Sequence, residues 1–151
     1  SKDPIPDDIR IVTSHDGLDV LCDGPEDGIL LVAHGQLCAE ALAAVDQLDS
    51  PVRVVSPRWS LPVCGGLIEE AARARAVVSV EDGLVVSGLG SHLAAALSQR
   101  GMWRPIRSLG IPQRYLDHDS RSAIMAELGL DSRGIADAVS QLVAQLDGEY
   151  S

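Results

Sequence analysis

Short runs rich in Val, Ile and Leu alternate along this chain with segments whose apolar residues recur at helical spacing, the pattern of a sheet covered by helices on both faces. Five strands are predicted, over residues 19–22, 29–33, 52–56, 76–80 and 105–109. The first follows a polar, proline-containing stretch, and the other four read as buried parallel strands. Leu37, Ala41, Ala44, Val45 and Leu48 give residues 36–48 one apolar helical face. Leu67, Ile68, Ala71 and Ala72 mark a shorter helix, and Leu89, Leu93, Ala96 and Leu97 a third, closed by Arg100-Gly101. Beyond the last strand, Ser120 can cap a helix carrying Ile124, Met125 and Leu128 that ends at Gly129. Asp131 can cap another carrying Ile135, Val139, Leu142, Val143 and Leu146, after which residues 147–151 are expected to fray. Residues 1–17, rich in Asp, Pro and Ser, read as a linker or extended leader of the kind that joins a domain to something larger, and residues 18–151 as one domain.

The 151 residues, 46% hydrophobic and 23% charged, suit one core that buries roughly 70% of the unfolded surface. Twenty-two acidic against twelve basic residues leave a net charge of -10 and no basic patch, so neither nucleic acid nor a membrane surface is expected as a partner. Aromatic content of 3% leaves little to stack on bases. The only lysine is Lys2, far from any glycine-rich turn, which removes a P-loop. Cys22, Cys38 and Cys64 form neither a C-x-x-C pair nor a finger spacing, which argues for a reduced, cytoplasmic setting. The apolar runs are strand-length rather than membrane-length, and residues 1–10 do not read as a secretion signal.

In an open parallel α/β sheet, ligands sit outside the carboxyl ends of the strands. The loops expected there carry His34-Gly35, then Arg58-Trp59, then Glu81-Asp82-Gly83 running on to Gly88-Leu89-Gly90-Ser91, then Gly110 to Tyr115 with Arg114. Gly88, Gly90 and Ser91 open a helix whose free N–H groups suit an anion, yet the third glycine of a dinucleotide fingerprint is missing. The glycines read better as a tight approach of loop to strand. His34 suits acid–base work, but a histidine ending a buried strand more often bonds neighbouring backbone. Glu81 and Asp82 are adjacent and point to opposite sides of an extended segment; one of them is expected to cap or to form an ion pair, with Arg58 as its candidate partner. Asp117, His118 and Asp119 converge poorly as metal ligands and read as a polar turn. Ser91 with His92 lacks a nucleophile elbow. The residues alone give a ligand-sized edge and no catalytic set.

A resemblance adds to this reading. Arg58-Trp59 with Leu61-Pro62, Val80-Glu81-Asp82-Gly83 followed by Gly88-Leu89-Gly90-Ser91, and Gly110-Ile111-Pro112 followed by Leu116-Asp117-His118 and Ala126-Glu127-Leu128-Gly129-Leu130 occur in one order and spacing. Together they resemble the C-terminal, transketolase C-terminal-like domain of the 1-deoxy-D-xylulose-5-phosphate synthases, over about residues 19–146. The resemblance implies a three-layer α/β/α domain with a five-stranded, mostly parallel sheet whose first strand runs antiparallel. It also implies the reaction of the longer enzymes, a homodimeric transferase at full length: condensation of pyruvate with glyceraldehyde 3-phosphate, with loss of carbon dioxide, on thiamine diphosphate and Mg²⁺.

The family holds that cofactor on preceding domains, through a Gly-Asp-Gly motif followed by Asn and through a glutamate. This chain contains no Gly-Asp-Gly and no Asn. The resemblance therefore implies no catalytic, cofactor or metal residue here, an isolated chain without activity, and an assembly role beside the preceding cofactor-binding domains. His34, Arg58, Glu81, Asp82, Gly88, Gly90, Ser91, Arg114 and His118 are the candidates for contacts to those domains or to a small anion. Two alternatives stand beside it: the same domain of a transketolase or a 2-oxoacid dehydrogenase β subunit, and a free-standing regulatory or binding module of the same fold.

Overall fold

The computed structural model describes residues 8–59, 61–81, 88–110, 126–127 and 130–148. In chain order these form β1 (Thr13–His15), β2 (Leu18–Cys22), β3 (Ile29–Ala33), α1 (Leu37–Val45), β4 (Arg53–Pro57), α2 (Gly65–Arg73), β5 (Ala76–Glu81), α3 (Leu89–Gln99), β6 (Ile106–Gly110) and α4 (Ser132–Gly148). The strands make one sheet in the order β1-β2-β4-β3-β5-β6. β4, β3, β5 and β6 run parallel, while β2 pairs antiparallel with β4, as the resemblance implies for the first predicted strand.

Alternation along the strands builds a core on each face of the sheet. In β3, Ile29, Leu31 and Ala33 meet Leu37, Ala41 and Ala44 of α1 and Ile135, Val139 and Leu142 of α4. Leu30 and Val32 point the other way, to Leu67 and Ala71 of α2 and Leu89, Leu93 and Leu97 of α3. Both faces are covered, which is why β3 reads as an unbroken apolar run and is buried throughout. β6 departs from the expectation of a buried strand: it is half-buried from end to end, because it is the edge of the sheet.

The sheet has six strands where the sequence predicts five. The extra strand, β1, comes from the segment read as a leader, and its residues are exposed or half-exposed, with no apolar alternation to announce them. It is held by a two-residue hairpin, Asp16 (φ 45°) and Gly17 (φ 81°), with His15 opposite Leu18. That left-handed pair matches the twist of antiparallel strands and favours Gly at its second position. Trp59 lies over the turn so closely that a Cβ on Gly17 would meet its ring.

Helix ends follow local chemistry. Asp131 caps α4, its Oδ1 accepting from Gly134 N–H at 2.9 Å, as its sequence position predicts. After α3, Gly101 N–H donates to Ser98 O and Met102 N–H to Leu97 O, the paired bonds of a Schellman ending at the predicted Arg100-Gly101. α1 stops at Val45, short of the predicted Leu48, because Gln47 and Leu48 bond three residues back rather than four. The helix expected from Ser120 to Gly129 lies largely outside the described residues.

Candidate functional site

Parallel registration brings the carboxyl ends of four strands to one edge. Ala33 of β3 lies beside Val80 of β5, and Glu81 beside Gly110 of β6. One residue beyond Ala33, His34 therefore comes level with Glu81. On the other side of β3, Val32 sits beside Val55, so Pro57 of β4 ends in the same row and Arg58 follows it. His34, Glu81 and the start of α3 at Gly88 share this edge with Arg58; Asp82, Arg114 and His118 lie outside the described residues.

Glu81 caps α3. Leu89 N–H points between its carboxylate oxygens, at 2.8 Å from Oε1 and 2.7 Å from Oε2, so the strand end is tied to the positive end of the helix that follows. Burial pushes the Glu81 carboxyl above its usual value, while the Leu89 N–H and His92, one turn into α3, pull it back. Gly90 is the contact point between α3 and β6: a Cβ there would run into Ser108 Oγ. Gly88 is the residue before the helix, in extended conformation, and Ser91 is exposed on its first turn.

Arg58 is paired elsewhere than expected. Its Nε donates to Asp19 Oδ1 at 3.1 Å, and Ser14 Oγ donates to the same oxygen at 2.7 Å. Of the two acidic residues expected to cap or to pair with Arg58, Glu81 caps and Asp82 lies outside the described residues, while Arg58 joins an Arg58–Asp19–Ser14 chain that links the β4 loop to β2 and β1. Asp19 is only 5% exposed, and its register opposite Ser56 fixes it there. Near this group the Cys38 thiol donates to Ser56 Oγ at 3.5 Å, and burial raises its pKa, which leaves it a protonated core residue.

Sequence patterning missed a second polar group, on the α2 face. Arg53 Nε and Nη2 donate to the two oxygens of Glu70 at 2.8 and 3.0 Å, Arg53 Nη1 reaches Asp23 at 2.7 Å, and His15 Nε2 lies 3.0 Å from Glu70 Oε2. Burial alone would raise the Glu70 carboxyl, but Arg53 and His15 outweigh it and hold it below the usual value. The signal was present: Glu70 follows Gly66 by four and Leu67 by three, placing a carboxylate on the apolar stripe of α2 opposite an arginine inside an apolar strand.

Arg73, Arg75 and Arg104 line one groove with Trp103 at the far edge of the sheet, where β5 and β6 begin, a grouping that net charge conceals.

Among the described residues no group of three or more His, Cys, Asp or Glu side chains is placed to hold a metal ion, and no helix is long and apolar enough to cross a membrane. Mg²⁺ bound with a diphosphate asks for several oxygen donors. At the carboxyl edge the carboxylates of Glu81 and Asp19 are already committed, to α3 and to Arg58, so these residues do not fit that group.

Comparison with known proteins agrees with this architecture. The chain is 99% identical over all 151 residues to a 1-deoxy-D-xylulose-5-phosphate synthase of Cutibacterium acnes, covering 24% of that protein. It is 43% identical over 141 residues to a 1-deoxy-D-xylulose-5-phosphate synthase 2 of Streptomyces avermitilis, 89% of this chain and 22% of that one. The chain thus spans about a quarter of the length of these relatives. Among solved structures, a split-gene transketolase described as an inactive β4 tetramer superposes with TM-score 0.68 at 31% identity, over 91% of this chain and 45% of that one. A Pichia stipitis transketolase shares the fold at TM-score 0.61 and 16% identity, over 88% of this chain and 19% of that one. The family described as transketolase, C-terminal domain, matches residues 19–135, and the chain belongs to it.

Proposed function

We propose that the chain works as the C-terminal domain of a 1-deoxy-D-xylulose-5-phosphate synthase, in the cytoplasm and within a homodimeric enzyme, and that alone it has no activity. The observation that carries this reading is identity of 99% along the whole chain to a protein of that name, of which it is 24%. The longer enzyme would join pyruvate to glyceraldehyde 3-phosphate with loss of carbon dioxide, supplying isoprenoid, thiamine and pyridoxal synthesis. Thiamine diphosphate and Mg²⁺, held on its other domains, would supply a carbanion equivalent.

This chain's own part is assembly. The carboxyl edge is stiffened by the Glu81 cap and the Arg58–Asp19–Ser14 chain, which suits a surface that docks against the preceding domains. His34, Arg58, Glu81, Asp82, Gly88, Gly90, Ser91, Arg114 and His118 are the proposed contacts. The lack of Gly-Asp-Gly and of any Asn supports inactivity in isolation.

The test is a product assay with pyruvate, glyceraldehyde 3-phosphate, thiamine diphosphate and Mg²⁺. The full-length enzyme is expected to form 1-deoxy-D-xylulose 5-phosphate, and neither this chain alone nor the enzyme truncated before it to do so. Product from the chain alone, or full activity from the truncated enzyme, overturns the proposal. Within the full-length enzyme, Arg58→Glu is expected to lower dimer stability or activity; no change in either removes Arg58 from the contacts.

A further inference from the structure

Charge is distributed unevenly in this acidic chain. From residue 83 to residue 116 there is no Asp or Glu, yet Arg100, Arg104, Arg107 and Arg114 fall there. Arg73 and Arg75 stand at the junction of α2 and β5. The fold draws Arg73, Arg75 and Arg104 together around a cavity of about 570 Å³, with Trp103, Leu142 and Leu146 among its walls. It opens where β5 and β6 begin, away from the carboxyl edge.

The cations there are poorly neutralised. Arg104 is fixed by backbone: its Nε donates to Ala74 O at 3.0 Å, Nη2 to Ala72 O at 2.7 Å and Nη1 to Trp103 O at 2.8 Å. Those bonds cap the end of α2 and leave donors to spare, and among the described residues no carboxylate meets the charge. Arg107 Nη2 donates to Gln145 Oε1, a neutral amide in the same wall. Arg73 is exposed and has no ion pair among the described residues. Among the described residues Arg75 pairs with Asp147 at 2.7 Å, and Asp27 is the carboxylate in the groove's lining. Beside them Trp103 is 76% exposed, the most exposed of the large apolar side chains described.

We propose that this groove docks an acidic segment of a partner protein, which lays an apolar side chain on Trp103 and carboxylates on Arg73 and Arg104. Tryptophan and arginine are the side chains that contribute most where protein surfaces meet. The geometry separates this occupant from two others. A small ligand is held by enclosure, and a wall as open as Trp103 cannot enclose one. A nucleic acid strand would run past the few guanidinium groups onto Asp27, Asp147 and an overall charge of -10, whereas a short acidic segment ends before them. The proposal is independent of the reaction of the longer enzyme.

The test is made on the full-length enzyme, and its readout is the fluorescence anisotropy of a labelled probe. The probe is a short synthetic peptide of alternating glutamate and leucine. A saturable rise in anisotropy is expected, weakened about tenfold or more by Arg73→Glu, weakened by Trp103→Ala and by added salt, and absent with lysine in place of glutamate. Among the described residues the Arg73 side chain has no bonding partner to lose, so the variant should keep its far-UV circular dichroism, and the salt series reads the same charge dependence without any variant at that site. No saturable change, equal affinity in Arg73→Glu, tighter binding of a single-stranded oligonucleotide, or full displacement by inorganic phosphate at equal concentration each overturns the proposal.

Discussion

Glu70 on α2 and Glu81 at the end of β5 are both glutamates drawn out of bulk water, and they are held in different ways. Glu70 is 1% exposed and meets a guanidinium through two parallel bonds, with His15 behind it. Glu81 is half-buried and meets one backbone N–H and the end of a helix. The first arrangement lowers the carboxyl's pKa and the second leaves it raised. A fork of N–H donors carrying a full charge outweighs desolvation; a single amide with the partial charge of a helix end does not. The difference separates two tasks. The Glu70 group closes the α2 face and pins β1 to the domain, with few donors left for a partner. The Glu81 group sits at the carboxyl edge beside Gly110 and the start of α3, and among the described residues its charge is only partly answered.

Breaking the first arrangement has the largest expected effect. Glu70→Ala leaves Arg53, whose side chain is 10% exposed, with only the solvent-facing Asp23, and is expected to cost about 3–5 kcal/mol in chemical denaturation. Arg53→Met with Glu70→Leu removes both charges and should restore most of that loss, because a buried ion pair contributes far less net stability than breaking it costs. A double variant no more stable than Glu70→Ala would mean that α2 needs the charges themselves. In the same cycle β1 should loosen, read as faster amide exchange at Thr13 to His15.

These two regions also mark what could be read from sequence. β3, β4 and β5 were legible because both faces of a central strand are apolar, and the α3 and α4 ends because Gly101 and Asp131 act on backbone within a few residues. β1 was not, since Thr13-Ser14-His15 carries no hydrophobic period; the signal that could have found it is the Asp16-Gly17 turn pair placed directly before Leu18. Arg58 was placed at the edge, but its bond to Asp19 was not foreseen. Nothing local says that Asp19, on a strand running the opposite way, comes within reach, whereas the topology brings it there. The Glu81 cap acts across eight positions, and only the placement of the start of α3 beside the end of β5 shows it. The arginine groove was hidden by summing charge over a whole chain in which acidic residues outnumber basic ones.

A smaller effect sharpens the comparison from the side of capping. Asp131 and Glu81 each place a carboxylate at a helix start, but Asp131 does so from the residue before its own helix. Asp131→Ala is expected to cost about 1 kcal/mol, measured by urea denaturation, with the loss confined to α4 and the α1 contacts it supports. A cost near that of Glu70→Ala would show that capping and ion pairing are not separable in this fold.

The smallest effect is the one that tests the sign of the contrast. Glu70 has a lowered folded pKa, so its stabilisation is complete above the ordinary carboxyl value of about 4.3 and is lost as pH falls through the folded value. Glu81 has a raised folded pKa, so its contribution is present below that ordinary value and is lost as pH rises through the folded one. Neutral glutamine mimics the protonated acid in both places. Stability measured from acid to neutral pH should therefore show Glu70→Gln falling further behind the parent protein as pH rises. Glu81→Gln should gain on the parent over the same range, because the parent alone must ionise a half-buried group. Two gaps that move in the same direction with pH would show that the helix end holds the Glu81 charge as firmly as the guanidinium holds Glu70, and the distinction between a closed face and an open edge would lose its electrostatic basis.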